Sequence, residues 1–481
     1  MQRRVPFALL SAAALVITAT ATVTAHGAPA ASGALTSRDL TTNGVGSPYY
    51  RIPALTTSVK GTLLAAYDAR PSRGDLPGNL GVVLRRSTDG GATWKAQQVV
   101  RKDAAPKGHG DPSLLVDRTT GRIFVFYASS VNQGFARSGT GNDENDPDIL
   151  QADYSYSDDD GVTWTHRRIT KQIKDPSWAG MFASSGEGIQ LRHGPHAGRL
   201  VQQYAIRING ANYAASAYSD DHGATWRMGR PVGPGGDENK TVELSDGTIM
   251  LNNRSKPYRT IAYSSDGGVN YTPFRQDTEL TDPANNASIM RYAPGAPASH
   301  PQSSWLLFSN TEDATTRRNL TVKMSCDNGE TWPIRKVVDP GGAAYSTLTK
   351  LPDGRVGLLY ERGDYAHITY ASFDLDWLGG TCADITIAPP TALKAKARAE
   401  IEVRVVNRMD ERRAPGALDL TVPEGWTARQ VAVPALDPGE AATVRVPVTV
   451  APDASGSVRL TATYQTGGKR ASGSATVAIT S

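Results

Sequence analysis

The chain has 481 residues, of which 39% are hydrophobic and 20% are charged, and its formal net charge at pH 7 is +4. This composition is ordinary for a soluble globular protein that can bury a core, and the length predicts two domains. The small net charge gives no support for nucleic-acid binding, and two cysteines, Cys326 and Cys382, are too few for a disulfide scaffold. The sequence leaves open whether these two cysteines form a single disulfide.

Residues 1–32 differ in composition from the rest of the chain. Arg3 and Arg4 precede a run of apolar and small residues from Ala8 to Ala25, and Ala/Pro/Ser-rich sequence follows. This is the pattern of a secretory signal peptide cleaved near residues 25–31, so we expect a secreted, extracellular protein. A membrane anchor is the alternative, although several threonines interrupt the run. No later segment is apolar enough to span a bilayer, and the sequence predicts no membrane span in the mature protein.

One motif recurs five times after this segment. It has the form Ser-x-Asp-x-Gly-x-Thr-Trp, with Asn and Tyr at the last two positions of the fourth copy, and it occupies residues 87–94, 157–164, 219–226, 264–271 and 325–332. In a hairpin turn the carboxylate and hydroxyl groups can bond the turn amides while glycine takes a positive φ. We therefore interpret these Asp boxes as structural turns. A calcium loop is excluded because no copy has the acidic spacing and distal glutamate of an EF-hand.

A second repeat consists of a turn followed by a buried strand. It occurs six times, at residues 61–67, 121–127, 198–204, 247–253, 304–310 and 354–360. The Asp boxes recur about every 60 residues, so nearly six such units fit into residues 33–383. Helical periodicity is absent there, which argues against a TIM barrel or a doubly wound sheet. The sequence therefore predicts an all-β protein whose first domain, residues 33–383, is a six-bladed β-propeller.

Residues 384–481 have a different character. Pro389 and Pro390 end the propeller pattern, and alternating apolar runs follow at residues 401–406 and 442–450. This pattern predicts a small immunoglobulin-like β-sandwich. Because the segment shows no cluster of aromatic and polar residues suited to a sugar, we favour a role as spacer or packing module over independent sugar binding.

The segment Tyr50-Arg51-Ile52-Pro53, together with the Asp boxes, resembles the bacterial exo-sialidase (neuraminidase) family, and the resemblance runs from roughly residue 41 to residue 382. An Asp box alone is weak evidence, whereas the combination is specific. The resemblance implies a monomeric exo-α-sialidase that hydrolyses terminal sialic acids from glycoproteins, glycolipids and oligosaccharides with retention, through a covalent sialyl-tyrosine intermediate. It implies sialylated glycoconjugates as partners and neither a cofactor nor a metal.

The resemblance also implies three arginines that grip the substrate carboxylate. They are Arg51, Arg254 and Arg317, although Arg318 lies next to the last and is an alternative to it. Sialic acid keeps its carboxylate ionised, and arginine offers a permanently charged planar donor. Each charged hydrogen bond contributes about 1.5–3 kcal/mol, so three of them would select an anionic sugar over a neutral one. Any one of these arginines taken alone is better explained as a surface residue.

Three further residues match the catalytic groups of the family. Tyr345 matches the nucleophile, Glu238 the carboxylate that activates it, and Asp75 the acid/base, with Asp68 as a competitor that we place in a strand. Most retaining glycosidases use a carboxylate nucleophile, which the carboxylate on the anomeric carbon of sialic acid would repel. A neutral phenol avoids this repulsion, but with an ordinary pKa of about 10 it needs a base.

Supporting positions follow from the same resemblance. Glu361 would orient Arg51 through a salt bridge, and Arg70 and Asp111 would face the O4 edge of the sugar.

Apolar side chains are expected around the N-acetyl methyl group of the sugar. Ile52, Trp178 and Phe182 are the candidates, although a position in the hydrophobic core explains the two aromatic residues equally well. Glu187, in a loop of small residues, is interpreted as structural.

Overall fold

The computed structural model of the chain describes residues 33–409 and 412–480. The signal peptide predicted for residues 1–32 lies outside the described residues. The described part is almost entirely β, with two short helices, α1 (Thr170–Ile173) and α2 (Leu375–Leu378), and short 3-10 turns at Phe135–Arg137, Gly194–His196 and Pro301–Ser304. None of its helices is long and apolar enough to cross a membrane.

The first described strand, β1 (Thr36–Thr42), is followed by four separate sheets. The first contains β2 (Tyr49–Thr57), β3 (Leu63–Arg70), β4 (Gly81–Ser87) and β5 (Gln98–Arg101). The second contains β6 (Gly108–Val116), β7 (Ile123–Ser130), β8 (Gln151–Ser157) and β9 (Thr165–Arg168), with β11 (Gly186–Glu187) parallel to β6. The third contains β10 (Met181–Ala183), β12 (Ile189–Gln190), β13 (Leu200–Ile208), β14 (Ala211–Ser219) and β15 (Arg227–Met228). The fourth contains β16 (Asn239–Glu243), β17 (Ile249–Asn253), β18 (Tyr258–Ser264) and β19 (Arg275–Thr281).

A larger, seven-stranded sheet follows. It contains β20 (Ser288–Arg291), β21 (Leu306–Thr311), β22 (Arg318–Ser325), β23 (Ile334–Lys350), β24 (Val356–Arg362) and β25 (His367–Phe373), and β1 is its outer strand. The long strand β23 pairs with β22 through its first part and with β24 through its second part, from Ala343 onward. Divided at that point, the sheet yields two sets of four strands. We interpret the resulting six sets as six blades.

The first strands of successive sets form a closed circuit, which is the arrangement of a β-propeller. Strand β2 contacts β6 on one side and β23 on the other. Strand β6 contacts β10 of the third sheet, and β13 of that sheet contacts β16. Strand β20 contacts both β16 and β23, which completes the circuit. Strand β1 pairs with β25 at the outside of the last set, so the beginning of the described chain closes the ring. Hydrophobic clusters fill the spaces between neighbouring sets, for example the cluster that contains Ala54, Leu64, Leu114, Ile123 and Val125.

The Asp boxes are turns at the end of the third strand of a set, as predicted. In the first box the Ser87 hydroxyl donates to Asp89 at 2.7 Å and accepts the Gly91 N–H at 2.9 Å. The Asp89 carboxylate accepts the Thr93 N–H at 2.8 Å. The other four boxes form the same bonds. These side chains replace water at the turn amides, which explains why the motif repeats without carrying chemistry.

Beyond the propeller, two facing sheets form the β-sandwich. One contains β26 (Ala383–Ala388), β28 (Arg398–Asn407), β30 (Thr427–Ala428) and β32 (Ala441–Thr449). The other contains β27 (Ala392–Lys394), β29 (Gly416–Thr421), β31 (Val431–Val433), β33 (Gly456–Thr466) and β34 (Lys469–Thr480). Alternating side chains such as Val403, Val405 and Val446 fill the core between them.

A disulfide joins Cys326 of the last Asp box to Cys382, immediately before the sandwich, with the two Cα atoms 5.5 Å apart. This answers the question that the sequence left open.

Candidate active site

The predicted site residues meet at one end of the ring of first strands. Arg51, Asp111 and Tyr345 lie near the N-terminal ends of β2, of β6 and of the second part of β23. Glu238 immediately precedes β16, and Arg254 follows its antiparallel neighbour β17. Because antiparallel strands alternate in direction, all of these positions lie on the same face of the propeller. The Asp boxes, at the C-terminal ends of third strands, lie on the opposite face.

A short hydrogen bond joins two residues at the centre of this face. The Tyr345 hydroxyl donates to Glu238 Oε2 at 2.6 Å, across a sequence separation of 107 residues. Arg254 Nη1 lies 2.9 Å from the Tyr345 oxygen and 2.5 Å from the same Glu238 oxygen. Tyr345 and Glu238 are only 6% and 3% exposed, so water screens the interaction weakly.

The charges of this pair differ in the resting site. Burial and the neighbouring Glu238 raise the pKa of Tyr345 well above its ordinary value, although the arginines oppose this. Burial acts against the charge of Glu238 as well, but Arg254 and the hydrogen bond from Tyr345 outweigh it and lower the pKa of Glu238. The resting pair is therefore a neutral phenol that donates to a carboxylate anion, the arrangement required for proton transfer from the phenol to the carboxylate.

Three guanidinium groups surround the Tyr345 ring. The Cζ atoms of Arg51 and Arg317 lie 5.4 Å and 5.3 Å from the ring centroid, and Arg254 bonds the hydroxyl directly. The side chains of Arg51 and Arg254 are 13% and 21% exposed, so both are largely buried but reach the surface. The three arginines proposed from the sequence therefore converge on one spot and form a positively charged site for an anion.

The structure distinguishes Arg317 from its neighbour Arg318. Arg317 is half-buried and donates to the Tyr365 hydroxyl at 3.0 Å and to the Ala284 carbonyl at 3.1 Å. Arg318 is exposed and pairs with Asp313 at 2.7 Å. Arg317 is therefore the arginine that belongs to the site.

Glu361, fully buried on β24, connects three segments of the site. Its Oε1 accepts from Arg51 Nε at 3.0 Å and from the Ile52 N–H at 2.9 Å. Its Oε2 accepts from the Tyr345 N–H at 3.1 Å. The salt bridge to Arg51 is the one that the sequence predicts. The two backbone bonds add a function that the sequence does not reveal, because they fix the main chain on both sides of the arginine cluster.

Backbone irregularities coincide with the site residues in three first strands. The pairing of β2, β6 and β23 with their neighbours shifts between residues 51 and 54, between 110 and 113, and between 343 and 346. Ile52 and Asp111 have φ values of 62° and 63°, in the left-handed region that branched side chains rarely enter. Bulges of this kind re-aim side chains next to functional sites. Here they occur at Arg51, Asp111 and Tyr345.

A second charged cluster adjoins Arg51. Arg70 donates to Asp68 Oδ2 at 3.0 and 2.7 Å and to Asp75 Oδ1 at 2.7 Å. Asp68 is fully buried and also accepts the Asp111 N–H at 3.1 Å, so it is committed to internal partners. The Asp75 side chain is 71% exposed, and its Oδ1 lies 3.9 Å from Arg51 Nη1. Of the two competing aspartates, Asp75 is the one that can meet a ligand.

The three apolar candidates are placed differently from one another. Ile52 packs against Tyr345 within the site. Phe182 packs edge-to-face against Phe135, with ring centroids 4.8 Å apart. Trp178 is half-buried and packs against the hydrophobic core between the second and third sets, which fits the core interpretation of this residue.

Tyr365 is a site residue that the sequence analysis missed. It lies in the turn between β24 and β25, its ring centroid is 4.5 Å from Arg51 Cζ, and its hydroxyl accepts from Arg317. One aromatic side chain thus holds two of the three arginines. The available signal was a tyrosine four residues after Glu361, and no pattern in the sequence distinguishes it from other turn residues.

The surface beside Arg254 opens into a pocket of about 480 Å³. Its lining includes Arg207, Asn212, Asp237 and Lys256. Within the described residues, no group of three or more His, Cys, Asp or Glu side chains is placed to hold a metal ion.

Comparisons with known proteins relate this chain to two families. The family model described as a BNR repeat-like domain matches residues 61–358, and that of the NPCBM-associated, NEW3 domain of alpha-galactosidase matches residues 393–465. A sialidase of Micromonospora viridifaciens is 50% identical over 99% of this chain and 76% of its own length. A sialidase of Bacteroides fragilis is 33% identical over 68% of this chain and 62% of its own length.

Solved structures show the same similarity. A Hadza microbial sialidase has 34% identity and a TM-score of 0.63 over 69% of this chain and 66% of its own. A leech intramolecular trans-sialidase, at 20% identity and a TM-score of 0.62 over 71% of each chain, shares the fold.

We expect Arg317→Ala to lower the affinity for free sialic acid by about 10- to 100-fold, because one charged hydrogen bond contributes about 1.5–3 kcal/mol. Isothermal titration calorimetry would measure this affinity. Arg318→Ala removes the same charge one residue away and should change the affinity less than about twofold, since its ion pair is exposed. Equal losses in the two variants would contradict the assignment of Arg317.

Proposed function

This chain belongs to the sialidase family and is an exo-α-sialidase, and on that premise we propose that it releases terminal sialic acids with retention of configuration through a covalent intermediate on Tyr345. The observation that carries the proposal is the hydrogen bond from the Tyr345 hydroxyl to Glu238 within the three arginines. The substrates we propose are terminal α-linked sialic acids of glycoproteins, glycolipids and oligosaccharides.

The three arginines would bind the carboxylate of the substrate. Arg51, Arg254 and Arg317 surround Tyr345, so a carboxylate held between them places the carbon that bears it, the anomeric carbon, next to the phenolic oxygen. Binding therefore also orients the substrate for attack. A neutral sugar would form no charge-assisted hydrogen bonds with the three guanidinium groups, which explains selection for an anionic one.

The first chemical step would form a bond between the Tyr345 oxygen and the anomeric carbon. As this bond forms, the phenolic proton passes to Glu238 Oε2, which already accepts it at 2.6 Å. The glycosidic bond breaks, and its oxygen takes a proton from Asp75. Arg254 contacts both the phenolic oxygen and Glu238, so its charge stabilises the negative charge wherever it lies between them.

The second step would reverse these roles. Asp75 accepts a proton from a water molecule whose oxygen attacks the anomeric carbon, the bond to Tyr345 breaks, and the phenolic oxygen regains its proton from Glu238. Two inversions at the same carbon give net retention. The high exposure of Asp75 suits both of its roles, since the leaving group departs to the solvent and the water arrives from it.

We further propose that the protein is exported and acts as a monomer. The signal pattern in residues 1–32 and the Cys326–Cys382 disulfide support export, because disulfides persist in oxidising compartments. The arginines, Tyr345, Glu238 and Asp75 all come from one chain, so the proposed site is complete without a second copy.

We expect Tyr345→Phe to fold normally and to lower kcat on a fluorogenic sialoside by roughly 100-fold or more, because binding by the arginines remains while the nucleophile is lost. Steady-state kinetics and a thermal melt of the same preparation would test both parts. Turnover at the parent rate would show that the nucleophile is assigned wrongly.

We expect the sialic acid that first appears during hydrolysis to be the α-anomer, since the proposed route retains configuration. Proton NMR, recorded faster than mutarotation, would identify it. The β-anomer would rule out a double displacement on Tyr345, and an anhydro product would indicate intramolecular transfer instead of hydrolysis.

A further inference from the structure

A buried lysine, Lys240, is connected to Glu238 through Ser185. Lys240 is two residues after Glu238 at the start of β16, and in an extended strand residues two apart face the same side. Its side chain is on the propeller interior and only 1% exposed. Burying an ammonium group costs free energy unless it is paired and hydrogen-bonded. The catalytic scheme above does not use this residue.

Lys240 holds the segment that touches the far side of Glu238. Its ammonium group donates to the Ser185 carbonyl and lies 3.4 Å from Ser184 Oγ. Ser185 Oγ in turn lies 3.4 Å from Glu238 Oε1, the carboxylate oxygen that Tyr345 does not use. Gly186 follows with a φ of +115°, and a Cβ there would lie 2.9 Å from Lys240 Cε. This loop therefore depends on both the glycine and the lysine.

Glu187 lies beside the Lys240 side chain at the end of the same loop. Its carboxylate accepts from Ser288 at 2.6 Å and from Thr347 at 2.5 Å, so hydroxyl groups fix its position. Burial raises the pKa of Glu187 while Lys240 opposes this. Within the described residues, no carboxylate oxygen comes within 4.0 Å of the ammonium group. The charge of Lys240 therefore acts on two carboxylates, Glu187 and Glu238, without being bound to either.

Burial lowers the pKa of Lys240 to about 8, although Glu187 and Glu238 both oppose the shift. The lysine is thus protonated at neutral and acidic pH, where it places a positive charge near Glu238. The other charged or titratable groups that act on Glu238 are Arg254, Arg259, Tyr345, Asp237 and Asp111.

Lys240 differs from Arg254 in one respect that matters for catalysis. Arg254 faces the open site, so a bound substrate carboxylate competes with Glu238 for its charge. Lys240 faces neither solvent nor substrate, so its charge near Glu238 stays constant through the reaction cycle.

We propose that Lys240 is a positioning residue that keeps Glu238 ionised and fixed beside Tyr345 while Arg254 is engaged by the substrate carboxylate. The Ser185 carbonyl anchors the lysine, and the segment of residues 184–186 transmits its position to the base. The inference rests on the proposed function, namely that Glu238 takes the proton of Tyr345.

The test is the pH profile of kcat on a small fluorogenic sialoside, which reports the enzyme–substrate complex, in which the substrate carboxylate engages Arg254. Glu238 acts in its ionised form, and activity is lost as the pH falls through its pKa. Loss of a nearby positive charge raises that pKa, so Lys240→Met should move the acid-side inflection up by about one pH unit. At one unit below the parent inflection, this shift corresponds to an extra loss of activity of about tenfold. Lys240→Arg keeps the charge and should keep the inflection within about 0.3 unit.

A matched control separates this effect from the loss of a buried lysine as such. Lys323 on β22 is also 1% exposed and pairs with Glu312 at 3.0 Å, and the charged groups that act on it, Glu312, Arg335 and Asp277, do not belong to the site. Lys323→Met should lower thermal stability and leave the inflection in place. If Lys240→Met does not fold, Lys240→Gln also removes the charge, keeps a side chain that can donate to the Ser185 carbonyl, and should show the same upward shift.

An unshifted inflection in folded Lys240→Met or in folded Lys240→Gln would overturn the inference. An equal shift in Lys240→Arg would do so as well, because shape rather than charge would then be responsible. Glu238→Gln distinguishes this failure from that of the proposed function. A large loss of turnover in Glu238→Gln would support the assignment of Glu238 as the base. Parent activity in that variant would show that Glu238 is not the base, and the proposed function would then fail in that respect.

Discussion

Three guanidinium groups that meet around one tyrosine repel one another, and the fold holds them with carboxylates that are themselves buried. Glu361 binds Arg51, and Glu238 binds Arg254. Arg317 has no carboxylate partner among the described residues and is held by the Tyr365 hydroxyl and a carbonyl instead. This asymmetry leaves the positive charge of Arg317 without a carboxylate in the described part of the chain to compensate it. A substrate carboxylate would compensate it, so the same electrostatic constraint accounts for stability without ligand and for affinity toward an anion.

One structural unit is used twice to build the site. A fully buried carboxylate binds one arginine side chain and one backbone N–H of a residue with positive φ. Glu361 does this with Arg51 and Ile52, and Asp68 does it with Arg70 and Asp111. Such backbone conformations cost on the order of 1–3 kcal/mol each, and the charged hydrogen bonds offset that cost. The strained bulges and the arginines are therefore coupled, and a change in one carboxylate would displace both.

The sequence predicted the scaffold better than the site. The Asp boxes and the six strand repeats follow from local turn chemistry and from the alternation of apolar and polar residues. Their positions could therefore be predicted without knowledge of contacts between distant residues. The roles of Tyr345 and Glu238, by contrast, came from a family resemblance, because residues 107 positions apart carry no local signal of contact. The choice between Arg317 and Arg318, the clamp by Tyr365 and the enclosure of Lys240 depend on which way a side chain leaves a bulged or strand-end position. The sequence left two interpretations open for Trp178, and the structure shows this half-buried ring packed against the core between the second and third sets.

Treatment with 2,3-difluorosialic acid, followed by proteolysis and mass spectrometry, tests the central claim most directly. The fluorine next to the anomeric carbon destabilises the positive charge of the transition state, so a covalent intermediate should accumulate long enough to be mapped. The account predicts a fluorosialyl adduct on the peptide that contains Tyr345, and fragmentation should place it on the tyrosine oxygen. An adduct on Glu238 or Asp75, or turnover of the reagent with no adduct on any peptide, would contradict it.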